Sequence, residues 1–428
     1  MNDIICYIFF VILTILGIKF INQDYGTLKV PLTKDCKMRC SGLEMFVIFM
    51  FSTGLIGIMP VLSIRLAVLE ILCIIGILKA HEQISLSLPL KLFIIFLLWE
   101  FIGIFYTKNP IFGIRMILKY IYPLLFCILT SVVVRDNFIF LKSALNARWA
   151  AFIAFIIANA PNNLYIFKGV LWNGPALATN FICMCMFSLS MAYSSNRRKS
   201  NLLWAIFFIY PSFYWVIRTD IFGLGLALST FFFLKYKLKS LPLIAVVGCL
   251  GLAAMFYVPQ VKSKMYYRPD EVTITDFLTG NVDEDNINTS GRKKGWEDVQ
   301  KWFFDDHKLI GSGTGRVQTY FYTEAIGWQR GGQLHNDFLV LMCDNGLIGL
   351  GLFIISYMCI ALHCLKLYSK SESKYVQICA LTAGASMIGI MVTMYSDNTI
   401  SYSMATLGYP WGFYGIALGL AKNEEENG

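Results

Sequence analysis

Apolar blocks of about twenty residues recur along almost the whole chain, and this repetition limits the fold more than any other feature. A helix needs roughly 20 apolar residues to cross the hydrocarbon core of a bilayer. Backbone in lipid must also satisfy its own hydrogen bonds, which leaves helices or closed barrels. A barrel would alternate apolar and polar residues over short segments, whereas these blocks are continuous. The 428 residues are 57% hydrophobic and 15% charged, with a mean hydropathy of +0.60; an average soluble domain carries about 25% charge. The expectation is an all-α polytopic integral membrane protein. The first block, MNDIICYIFFVILTILGIKF, lacks a basic leading region and a small-residue cleavage site, so it reads as a retained span.

Spans are expected near 4–21, 43–60, 61–78, 88–107, 111–134, 145–160, 175–194, 201–217, 220–235, 240–258, 337–365, 375–396 and 402–420. That is about 13, within a range of roughly 12 to 14. Lysine and arginine orient them. The stretches SSNRRKS and KYKLK, and the loop with Lys366, Lys370 and Lys374, share one parity and should be cytoplasmic. Residues 217–219 and the long polar segment 259–334 are then external, and the C-terminus is cytoplasmic. Thirteen spans place the N-terminus outside, against the ordinary expectation of an internal one. The chain divides into N-terminal helices over 1–258, about ten of them, a large external loop over 259–334, and about three helices over 335–428.

Within the external segment, Asp283–Glu284–Asp285 reads as a solvated acidic turn, because no D-x-D-x-D-G pattern follows. Trp296, Val299 and Phe303 recur at helical spacing among charges, which predicts an amphipathic helix. That helix lies either on the membrane surface or packed in a small external subdomain. The turn GSGTG at 311–315 has backbone that can cradle phosphate, a weak signal alone. Cys183 and Cys185, and Cys36 and Cys40, have spacings a metal can use. No histidine or second pair accompanies them, so buried apolar cysteines are expected. The net charge of +9 fits basic cytoplasmic loops, and no nucleotide-binding or nucleic-acid motif appears.

The span parity puts Arg218, Arg292 and His335 on the external side, although they are far apart in sequence. An arginine fork matches phosphate oxygens. Two such forks can hold a pyrophosphate and offset the charge it gains as a leaving group. A histidine can take a proton from a hydroxyl. Together they suit transfer of a group from a diphosphate carrier to an alcohol. Each also has a plainer reading: Arg218 as a helix-end anchor, Arg292 as part of a solvated basic turn with Lys293 and Lys294, and His335 as a helix cap. His81, His307 and His363 are assigned no role.

At these residues the chain resembles the O-antigen ligase and polymerase superfamily. The resemblance is carried by Ser290–Gly291–Arg292 with Trp296, by Leu309–Ile310–Gly311–Ser312–Gly313, by His335–Asn336–Asp337–Phe338–Leu339 and by Gly346–Leu347–Ile348–Gly349. Upstream, Arg218 with Thr219 and Gly223 is similar to another shared element, and Trp172–Asn173–Gly174–Pro175 to Ala178 is similar to a third. Ile217, Asp306–His307–Lys308 and Asp344–Asn345 depart from the pattern without removing an arginine or the histidine. The resemblance implies a glycosyltransferase C-like membrane enzyme of the bacterial inner membrane, active at the periplasmic face without a metal or other cofactor. It implies an undecaprenyl-pyrophosphate-linked oligosaccharide as donor, His335 as general base and Arg218 and Arg292 as pyrophosphate clamps. As an O-antigen polymerase the chain would extend lipid-linked repeat units of lipopolysaccharide, with a chain-length regulator as partner; as a ligase it would transfer the glycan to lipid A–core. A transporter or lipid-linked sugar flippase is the reading from another class, with Glu70, Glu100 and Asp397 as ionisable residues within or beside spans.

Overall fold

The computed structural model describes residues 2–29, 37–160, 169–172, 174–194, 198–289, 291–326 and 331–427. Cys36, Asn173, Ser290 and part of SSNRRKS lie outside these residues. The chain is an all-α bundle. Helix α1 (Asn2–Asn22) leads into a hairpin of β1 (Tyr25–Lys29) and β2 (Lys37–Ser41), paired antiparallel from Tyr25 opposite Ser41 to Lys29 opposite Lys37. Helices α2 (Gly42–Thr53), α3 (Leu62–Lys79), α4 (Leu88–Ile104), α5 (Pro110–Val133) and α6 (Asn137–Ala158) follow. Next come α7 (Gly174–Ser194), α8 (Arg198–Tyr214), α9 (Arg218–Tyr236) and α10 (Leu241–Tyr257). The polar segment holds the short helices α11 (Pro259–Met265) and α12 (Ile274–Thr279), then α13 (Arg292–Phe303) and α14 (Arg316–Thr319). The chain closes with α15 (Asp337–Lys370), α16 (Lys374–Thr393), α17 (Ser403–Thr406) and α18 (Gly408–Asn427).

Local chemistry sets several helix starts. Ser41 and Glu44 form a reciprocal capping box on α2. Asn109 caps α5 with Pro110 in its first turn, and Asp136 caps α6. Helix α7 runs through the middle of the bundle with Cys183 and Cys185 fully buried. Helix α16 packs against α7, α9, α15 and α18. The α9–α16 crossing is made at Gly223 and Gly389, where a Cβ on either residue would come within 2.7 Å of the other's carbonyl oxygen. Small residues let helices in lipid approach this closely.

Each expected span finds a helix, but eight helices among the described residues are long and apolar enough to cross a membrane. One of these, Arg218–Tyr257, covers two expected spans. The count of about 13 is therefore higher than the criterion supports. Helix α2 has 12 residues, α4 and α8 have 17 each, and α18 ends in Glu424, Glu425 and Glu426. The termini lie at opposite faces. Cys6 in α1 packs with Ile58, Val61 and Val170, near the candidate site described below. At the other face, Glu424 accepts hydrogen bonds from Ser371 Oγ and from the backbone of Glu372 and Ser373.

The amphipathic helix α13 packs against the rest of the loop and the head of α15. Val299 and Phe303 are buried with Leu334, Leu339 and Cys343, and Trp296 Nε1 donates to Leu334 O at 2.7 Å. Asp283 is solvated and paired with Arg268 at 3.2 Å.

Candidate active site

The GSGTG turn is committed to the fold. Gly315 N–H and Val317 N–H donate to the two carboxylate oxygens of Asp344, each at 2.9 Å, so this nest of amides already holds an anion from the protein itself. Gly313 N–H donates to Asp344 O, and Asn345 Nδ2 donates to Glu100 Oε1 at 2.6 Å. Helix α15 is kinked at Gly346, which has φ 66° and ψ −170°. The kink lets Leu347 and Ile348 N–H reach the carbonyls of Lys308 and Leu309. The shared glycine elements thus latch the polar segment to α15. Glu100 belongs to that latch, which explains its burial without a transport role.

Helix α15 starts immediately after the histidine. Asn336 caps it, with its Oδ1 accepting from Leu339 N at 2.9 Å, so His335 is not the cap. His335 has a left-handed φ of 53°, uncommon for a residue that is not glycine. The loop between α16 and α17 supports this turn. His335 N–H donates to Asn398 Oδ1 at 3.0 Å, Asn398 Nδ2 lies 2.7 Å from His335 Nδ1, and Asp397 Oδ1 lies 3.4 Å from the same nitrogen. Below, Asp337 N–H donates to Met394 O and Asp337 Oδ2 accepts from Ile400 N at 2.9 Å.

Both arginines reach this neighbourhood. Arg292 opens α13 after Gly291, whose φ is 72°, and its Nη1 donates to Ser396 O at 2.5 Å. It is half-buried; burial pushes its guanidinium pKa down and the Asp397 carboxylate opposes that effect. A guanidinium stays protonated in either case. Arg218 opens α9, and its Nη1 donates to Lys264 O at 2.7 Å and Asn288 O at 2.6 Å. It is close enough to Arg292 for the two charges to repel. Neither arginine is a simple surface charge. Each ties the polar segment to the bundle while presenting a cation at the same face.

An apolar cavity of about 380 Å³ opens beside Arg218, between α9 and α10. Phe222, Leu226, Val247 and Leu252 line it. Gly225, Gly248 and Gly251 also line it, and a Cβ added to any of the three would meet nothing within 4 Å. Among the described residues Arg218 is its only charged lining residue.

The sequence places Arg218, Arg292 and His335 on one face; the structure joins Arg292 and His335 through residues 396–398 and ties Arg218 to Lys264 and Asn288, four residues before Arg292. The sequence reading missed Asn398 altogether and weighed Asp397 only as a residue for transport. The available signal was the polar run Ser396–Asp397–Asn398–Thr399 between two apolar blocks on the external parity. Trp172, from the third resembling element, supports the same loop: its ring lies 5.5 Å from that of Tyr402, and its Nε1 donates to Gly54 O at 3.0 Å.

A family model described as O-antigen ligase matches residues 202–354, consistent with membership in the ligase and polymerase superfamily. The matched stretch contains Arg218, Arg292 and His335 but ends before Asp397 and Asn398. No curated protein matches the chain.

Proposed function

We propose, from the O-antigen ligase family match, the place of Arg218 on an apolar cavity and the joining of Arg292 and His335 through the 396–398 loop, that this multi-pass membrane protein is an O-antigen polymerase. The observation that carries the proposal is the position of Arg218, which lines the α9–α10 cavity and is hydrogen-bonded to Asn288, four residues before Arg292. A prenyl pyrophosphate needs both parts: apolar walls for the tail and fixed cations for the head. On this reading the donor is a glycan on undecaprenyl pyrophosphate, presented at the periplasmic face of the inner membrane.

In the reaction, an acceptor sugar hydroxyl attacks the anomeric carbon of the donor. The bond from that carbon to the pyrophosphate oxygen breaks, and its electron pair leaves with undecaprenyl pyrophosphate. Arg218 and Arg292 offset the charge that develops there. The hydroxyl proton passes to His335. To accept it at Nε2, the ring must carry its other proton on Nδ1, and Asp397 Oδ1 is the acceptor for that proton. Catalytic hydrogen bonds commonly tighten as the reacting complex forms, and the 3.4 Å contact is placed to do so. The chemistry assigned here needs no metal or other cofactor, and a chain-length regulator is the expected protein partner.

The test is a lipopolysaccharide gel from a strain lacking the gene, beside the restored strain. Core carrying a single repeat unit, with the ladder gone, supports the polymerase. Bare core with lipid-linked polymer accumulating assigns the ligase reaction instead. An unchanged ladder rejects both.

A further inference from the structure

A second cavity opens at the far end of the loop that holds His335. It measures about 340 Å³ and lies between the head of α3, the first turns of α5 and the 318–322 segment. Arg115 and Lys119 line it, with Gln318, Gln333, Ser401 and Tyr402, and among the described residues no acidic one does. Arg115 sits over the ring of Phe112, 5.1 Å from its centroid. Lys119 makes only long contacts, 3.4 Å to Ser401 Oγ and 3.7 Å to Met116 Sδ. Among the described residues neither cation forms a salt bridge. The carboxylate of Asp337 acts on Lys119 but is hydrogen-bonded to Ile400 N.

Cations within a membrane helix are costly, and they mark substrate paths when they face a cavity. The other polar lining groups are amides and hydroxyls, which suit a sugar, while residues 59–62, Ile64 and Phe112 form an apolar wall. Gln333, two residues before His335, and Ser401, three after Asn398, both line the cavity, so it borders the loop that positions the imidazole.

We propose that this cavity is the acceptor site and that Arg115 and Lys119 hold an anionic group of the acceptor, a phosphate or a carboxylate, while its hydroxyl reaches His335. The proposal rests on the glycosyl-transfer reading. The anion has two sources: the pyrophosphate of a second lipid-linked unit, or the carboxylate of an acidic sugar.

The test uses the full chain in phosphatidylcholine nanodiscs, with inorganic pyrophosphate and glucuronate as probes. Three variants are compared with wild type: R115Q/K119Q, R218Q/R292Q and the charge-conserving R115K/K119R. If the acceptor anion is a pyrophosphate, wild type binds two pyrophosphates and R115Q/K119Q weakens one of them about tenfold or more. If it is a sugar carboxylate, glucuronate binds wild type and R218Q/R292Q, and R115Q/K119Q loses it. In either case R115K/K119R retains most of the binding. Unchanged binding of both probes by R115Q/K119Q overturns the proposal. So does equal loss in R115K/K119R, which would make the two side chains structural. Pyrophosphate binding unaffected by R218Q/R292Q counts against the donor site instead, leaving the cavity assignment to the first comparison.

Discussion

Asn398 holds His335 at two points, accepting its backbone N–H at 3.0 Å and meeting its Nδ1 at 2.7 Å. The backbone N–H can only donate, so Asn398 must present Oδ1 to it and Nδ2 to the ring. His335 Nδ1 is then an acceptor, and the neutral imidazole carries its proton on Nε2. A base that works through Nε2 needs the other tautomer, and Asp397 is the group that serves it. The pair Asp397–Asn398 therefore offers the ring a partner for each tautomer: the ring turns from the Asn398-partnered form to the Asp397-partnered one before Nε2 accepts the proton, and Asp397 then stabilises the imidazolium.

Asp397→Asn should lower kcat about 100-fold or more and leave the donor KM little changed. The variant keeps the side-chain shape but replaces the carboxylate that stabilises Nδ1–H and the imidazolium with a neutral amide. Steady-state kinetics of the reconstituted protein check this. A change confined to KM would make Asp397 a binding residue.

The α9–α10 cavity makes a separate claim about the tail. Gly251→Leu adds a side chain where a Cβ meets open space. The KM for a long-chain prenyl donor should rise about tenfold, which corresponds to roughly two methylene groups of lost burial. A short-chain donor should be affected much less. Equal effects on both donors would place the tail elsewhere.

The latch between the polar segment and α15 depends on the kink. A Cβ on Gly346 would sit 2.2 Å from Leu309 O, and the residue's φ and ψ are accessible essentially to glycine alone. Gly346→Ala should cost about 1–3 kcal/mol from the backbone strain, with the steric contact added. Thermal unfolding in detergent measures it, and an unchanged midpoint would contradict the kink.

A pH effect follows from Glu324. Burial pushes its carboxyl up, but hydrogen bonds and charge from Arg316 and Lys108 outweigh this and hold it below the ordinary glutamate value. A lowered folded value adds stability above the unfolded value and loses it as pH falls through the folded one. Glu324→Gln should therefore lower the melting midpoint at pH 7, and the difference should shrink below about pH 4. A difference that persists at lower pH would point to packing, not charge.

The helical architecture was legible because burial in lipid demands long apolar runs, and these stand out in the sequence. Parity then carried Arg218, Arg292 and His335 to one face. The number of crossings was less legible: α2 is 12 residues long, yet its apolar neighbours up to Pro60 extend the run. GSGTG looked able to cradle phosphate because three glycines read alike whether the anion is a ligand or Asp344. The amphipathic face of α13 was visible, but its partners Leu334, Leu339 and Cys343 come from a distant stretch. Asn398 escaped, and Asp397 stood only as a transport candidate, because a four-residue polar run between two spans also describes an ordinary connecting loop.

The central claim is that His335, set between Asp397 and Asn398, receives the acceptor proton while Arg218 and Arg292 hold the donor pyrophosphate. The most direct measurement is undecaprenyl pyrophosphate release from lipid-linked repeat units by the reconstituted His335→Ala variant, beside wild type. The account predicts a rate at least about 100-fold lower, with membrane insertion and thermal midpoint unchanged. A wild-type rate from His335→Ala would contradict it.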